Sequence, residues 1–306
     1  MRTRTRSAPP RWRLGLAMGL VVLGLTACQP EDPRAAQAAE ASPELLARLD
    51  QIELGIRMHP RQTDDELREL AAKQPPGSAA RLEVLGLRAV VVARVDEAAR
   101  YEELRQQLEQ WPSLGDARVA TTVRLTLAVI DARRAALSGQ GQKLKKVLAV
   151  LDNLDETGQP ARLLLTLYSM QAGLLTDQGQ FDRALRAAHR VLELADGPAA
   201  SPSRRVYARL SLSGTYAAAQ QFEQAVKAQE EAEQLAANDK NPLLRYAIEL
   251  NRSSIFTDRD RAITERASQA ALDAARETGL EDVISNALAN RADDFLRKKE
   301  WAGASP

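Results

Sequence analysis

One helical pattern, written twice between Ala161 and Ala236, constrains this chain more than any other feature. The first copy reads ARLLLTLYSMQAGLLTDQGQFDRALRAAHRVLELA and the second RRVYARLSLSGTYAAAQQFEQAVKAQEEAEQLA. Each has an apolar helix, a short polar turn ending in an aromatic residue (Phe181, then Phe222), and a second helix. The second helices open on Ala184-Leu185 and Ala225-Val226, an offset of 41 residues. A helix pair this short cannot bury its apolar face alone, so recurrence at such a period predicts units stacked on their neighbours. Only 4% of residues are aromatic, alanine and leucine dominate, and no sustained alternation of β-branched residues occurs, so the expected class is all-α.

The first 28 residues read as an address. Arg2, Arg4, Arg6, Arg11 and Arg13 form a basic start, and Leu14 to Leu25 form a 12-residue apolar run. That run is shorter than the roughly 20 residues of a membrane span. It ends in Leu25-Thr26-Ala27-Cys28, which resembles a bacterial lipobox: an aliphatic residue, two small ones, then cysteine. The resemblance implies a signal peptide over 1–27, diacylglycerol on the Cys28 thiol, and usually acylation of the new amino terminus. Cys28 is the only cysteine, so it has no disulfide partner within the chain. Gln29 stands where many inner-membrane lipoproteins carry aspartate, which places the expectation at the outer membrane, facing the periplasm.

Cleavage before Cys28 would remove five of the 42 basic residues and none of the 41 acidic ones, leaving a formal charge of −4. A nucleic-acid partner needs a basic face, so charge and export both argue against one. Residues 28–42 lack apolar periodicity and read as a flexible tether. Helices begin at Ser42-Pro43-Glu44, a cap followed by proline and an acid. Leu45, Leu46, Leu49, Ile52 and Ile56 keep helical spacing, and Asp64-Asp65 open a short second helix. Further helices are expected over 78–94, 96–110, 116–137 and 141–155. Residues 43–158 therefore read as divergent helical hairpins and 159–306 as clearer repeats.

The clearer part resembles tetratricopeptide repeats. Tyr168, Ala172 and Gly179, then Phe181, Ala184, Ala188 and Val191, fall at the aromatic, small and turn positions of one unit. Gly214, Tyr216, Phe222, Ala225 and Ala232 do so in the next, and Ala267, Ala271 and Ala274 in a looser third. The spacings of 41 and 42 exceed the family's 34, and Gln229 replaces a small residue. The resemblance implies a right-handed superhelical solenoid of antiparallel helix hairpins whose first helices line an inner groove. Carried over by position, the groove residues are Thr166, Ser169, Gly173 and Thr176, then Tyr207, Leu210, Gly214 and Ala217, then Glu249, Arg252, Phe256 and Arg259. Tyr207, Arg252, Phe256 and Arg259 form the candidate peptide-binding set. The first helices at 161–177, 203–219 and 243–258 contain no lysine, which leaves the chaperone-type lysine-and-asparagine clamp without support.

No motif for catalysis, metal or cofactor is found. His59 and His189 stand outside any ligand cluster, and His189 reads as a solvated surface residue. Asp64-Asp65 and Asp293-Asp294 are helix neighbours that point to different sides, read as capping or solvated groups. The expectation is a non-catalytic, lipid-anchored scaffold of the cell envelope for protein or peptide partners. The alternative is the periplasmic input region of a diguanylate-cyclase-type signalling protein. At the end, Ile284, Leu288, Ala292 and Phe295 mark a first helix, Trp301 takes the turn-aromatic position and a second helix is due at Ala304. The last repeat thus reads as incomplete: the expectation is a truncated array, or an end covered by a partner or by self-association with a second copy.

Overall fold

Thirteen α-helices, one short 3-10 turn and no strand make up the described residues. The computed structural model describes residues 41–304 apart from 57–58, 93–94, 96, 113–115 and 198–199. The readings for the signal, Cys28 and most of the tether lie outside these residues. In order the helices are α1 (Pro43–Gly55), α2 (Pro60–Ala72), α3 (Ala79–Val92), α4 (Ala98–Glu109) and α5 (Ala117–Leu137). There follow α6 (Gly141–Leu148), α7 (Ala161–Asp177), α8 (Phe181–Ala195) and α9 (Pro202–Ala218). The last are α10 (Phe222–Ala236), α11 (Pro242–Phe256), α12 (Arg261–Thr278) and α13 (Glu281–Ala304). Consecutive helices pack in pairs, α7 with α8, α9 with α10 and α11 with α12, and α7, α9 and α11 touch in succession.

Local chemistry sets these limits. Ser42 and Ser201 cap α1 and α9, accepting from the Leu45 and Arg204 amides, with proline next in each case. Asn241 does the same for α11 through the Leu243 amide, 3.0 Å away. Between the members of a pair the chain turns through a left-handed residue: Gly179 at φ 69° before α8 and Gln220 at φ 60° before α10. Phe181 and Phe222 are the first residues of those second helices. Ala184, Ala188, Ala225 and Ala232 are fully buried, as the small positions of the repeat require for close helix approach. Ala267, Ala271 and Ala274 are buried on α12 as well.

The core changes character along the chain. Helices α1 to α7 share one large cluster of leucine, valine and isoleucine. From α7 onward, smaller clusters sit between successive helices. Gly86 lets α3 approach α7, because a Cβ there would lie 3.0 Å from Leu163 Cδ2.

Four expectations are corrected. Helix α2 starts at Pro60, so Asp64 and Asp65 lie inside it rather than opening it. Nor do the two acids stand apart: both accept from Arg100 Nη1, at 2.9 and 2.6 Å. Asp64 is fully buried and also accepts from Arg88 Nε at 2.7 Å. Helix α6 stops at Leu148 and tightens into a 3-10 turn to Leu151, followed by Asp152 and Asn153, residue types that disfavour helix interiors. Finally, α13 runs unbroken to Ala304, so Trp301 lies within a helix and not in a turn.

Candidate functional site

Helices α7 and α9 each carry an arginine in the first turn, Arg162 and Arg204. Both are buried, with side chains 6% and 11% exposed. They are held from the far end of the chain. Arg162 donates to Asp50 at 2.7 Å and to Glu53 at 3.3 Å. Arg204 donates to Glu53 and lies 3.6 Å from Asp50. Asp50 and Glu53 sit one turn apart on α1, whose Leu49 and Ile52 are buried beside them, so the acids are presented on a fixed rail. Burial, and then repulsion from Arg204, holds the Arg162 guanidinium below its usual range. Glu83 on α3 lies in the same field. Burial raises its carboxyl above the usual range, although Arg162, Arg204 and Arg118 pull the other way.

Asp50, Glu53, Arg162 and Arg204 line a half-open cleft of about 400 Å³. Its polar wall includes Thr166, Ser169 and Tyr207, three of the residues assigned to the groove from the repeat pattern. Its floor is apolar, with Ile56 just past the end of α1 and Leu165, Val191 and Leu243 from α7, α8 and α11. Such a volume lies at the low end of ligand clefts, about 300–1,000 Å³.

The other assigned residues fall elsewhere. Arg252 and Phe256 line a second cleft, of about 410 Å³, between α10, α11 and α12. Arg252 is tied to Glu233 at 2.6 Å and to Glu249 at 3.7 Å. Phe256 meets Phe222 edge to face at 5.3 Å, and the Arg259 guanidinium lies 4.3 Å over the Phe222 ring. Tyr207 lines the first cleft while Arg252 and Phe256 line the second, so the candidate set is divided between two places. Leu210 is buried in the core, not in a groove. Gly173 faces open space, and Thr176 turns back to the Ala172 carbonyl at 2.8 Å.

No family model, curated protein or solved structure matches this chain.

The structure contains groups the repeat pattern did not assign. Gln229, noted as a departure, is buried and donates to the Ile248 carbonyl at 3.1 Å. It also accepts from Asn251, which donates to Ser213, which in turn donates to the Ala225 carbonyl. The departure buys a polar seam joining three helices. His189 is exposed, as expected, and its Nε2 lies 2.9 Å from the Tyr216 hydroxyl. Asp50 and Glu53 carried no signal of their own. Neither did Arg162 and Arg204, which stand 42 residues apart where the two copies are offset by 41. Among the described residues no group of three or more His, Cys, Asp and Glu is placed to hold a metal, and no helix is long and apolar enough to cross a membrane.

Proposed function

We propose that this chain is a non-catalytic scaffold of the bacterial envelope, lipid-anchored at Cys28, that binds protein or peptide partners. In this reading the helix pairs form a right-handed solenoid of antiparallel, tetratricopeptide-like hairpins whose first helices present the binding face. The observation that carries it is the cleft on α7 and α9, where an apolar floor meets a rim of hydroxyl and guanidinium groups. Apolar surface with a few convergent polar groups is what a bound segment needs for affinity and for orientation.

Peptide display against the full chain tests the reading, with Ser169→Leu and Tyr207→Ala as variants. Filling the cleft with leucine or removing the tyrosine ring should weaken selected peptides by about tenfold, the effect of losing an interface anchor. Unchanged binding in both variants would remove the cleft from the mechanism. Anchoring is tested separately: Cys28→Ser should abolish incorporation of a fatty-acid probe, and retained labelling would refute lipid attachment there.

A further inference from the structure

Two arginines on a binding face ordinarily point to an acidic ligand. In this cleft the opposite follows from where their charges already go. We infer that the cleft selects an uncharged peptide segment carrying an apolar side chain, and that Asp50 and Glu53 set this selectivity by neutralising the arginine pair in advance. The inference rests on the peptide-binding reading above and names the ligand class for it.

Each guanidinium is within ion-pair distance of both carboxylates. Two positive charges therefore face two negative ones. Glu83 adds a further carboxyl nearby, drawn by the same arginines. Arg133, the third arginine of the lining, has a partner of its own. An incoming carboxylate would reach the arginines only beside Asp50 and Glu53, a like-charge juxtaposition in a partly desolvated site. Leu49 and Ile52 anchor α1 in the core, so the backbone that carries the two acids is fixed beside the arginines.

What the pair still offers is one unsatisfied N–H donor. Arg162 Nε is buried without an acceptor, on a side chain that lines the cleft. A peptide carbonyl would satisfy it and add no charge. Below it, Ile56, Leu165, Val191 and Leu243 offer apolar contact to one side chain. The volume of about 400 Å³ suits a side chain with its flanking peptide units, not a folded element. The selectivity residues thus come from α1, while the binding face comes from α7 and α9.

The test uses the full chain and a library of capped, amidated peptides in which a leucine is flanked by neutral, acidic or basic residues, read by fluorescence anisotropy. The parent should prefer neutral flanks, with acidic peptides at least about tenfold weaker. Asp50→Asn with Glu53→Gln keeps the shape but frees the arginine charges, so acidic peptides should gain about tenfold and become the preferred class. Arg204→Gln should move the preference the other way, towards basic flanks, and it relieves buried positive charge instead of creating it. It therefore reports even if the acid variant loses its helical circular dichroism. A parent that prefers acidic peptides, or an Arg204→Gln preference that does not move, would overturn the inference while leaving peptide binding intact. If no member of the library binds parent or variants, the peptide-binding reading itself fails, and this inference with it.

Discussion

Asp64 shows how much one buried carboxylate can organise. It is fully buried, accepts from Arg88 on α3 and Arg100 on α4, and so ties three helices together. Asp64→Ala leaves Arg88, itself 1% exposed, with one carboxylate contact at 3.3 Å to Glu103. The expected cost is about 3 kcal/mol in urea unfolding, because the remaining charge stays buried and poorly paired. Asp64→Leu with Arg88→Met should cost distinctly less, since no charge is then stranded. Equal losses would mean that packing, not charge, holds this corner. Glu83 gives a pH-dependent counterpart. Its carboxyl is raised by burial, so the folded state binds its proton more tightly than the unfolded one does. Its contribution to stability falls as pH rises from the ordinary carboxylate range through the raised value. Glu83→Gln should melt higher than the parent at about pH 8, with the gap closing towards about pH 4. A gap that widens on acidification would reverse the assigned sign. Neither role was legible beforehand. The acids were visible, but their partners lie 24 to 36 residues away for Asp64, and helical periodicity carries no information about ionic partners at that range.

At the scale of the element, the turns decide what was readable. Pairs α7–α8 and α9–α10 match the sequence expectation because their reversals are marked by polar residues and an aromatic. The same reasoning failed at Trp301. Gly179 and Gln220, two residues before Phe181 and Phe222, hold left-handed backbone; the equivalent residue before Trp301 is Lys299, in a run of helix-forming side chains. Without glycine or a polar turn there, the helix simply continues. Gln220 marks the cost of the alternative, since a residue with a Cβ is strained by about 1–2 kcal/mol in that conformation. Gln220→Gly should therefore raise stability by about 0.5–1 kcal/mol, and Gly179→Ala should lower it by about 1 kcal/mol. Thermal melts of the two variants check both signs, and a Gly179→Ala protein as stable as the parent would refute the strain argument.

For the described molecule as a whole, the two kinds of core imply unequal stability. The leucine- and valine-rich cluster shared by α1 to α7 is continuous, whereas α11 to α13 rest on a smaller, alanine-containing one. Hydrogen exchange should reach the amides of α11 to α13 well before those of α3 and α5, because a stacked array opens from its weaker units. Uniform protection would show that the units unfold as one. The repeat in 161–236 made the second region legible, because alanines at fixed intervals survive as a pattern. The first region relies on bulkier side chains whose partners follow from tertiary packing, so only its helices could be read. The cleft was half legible for the same reason: the repeat marks Thr166, Ser169 and Tyr207, but nothing in it marks α1. That origin has a consequence in time. Glu53 is bonded to Arg162 and Arg204, which lie 109 and 151 residues further on. At roughly 5–20 residues per second, a ribosome makes those partners about 5–30 s after α1. A chain interrupted before Arg204 carries the acids without one of the two arginines they pair with.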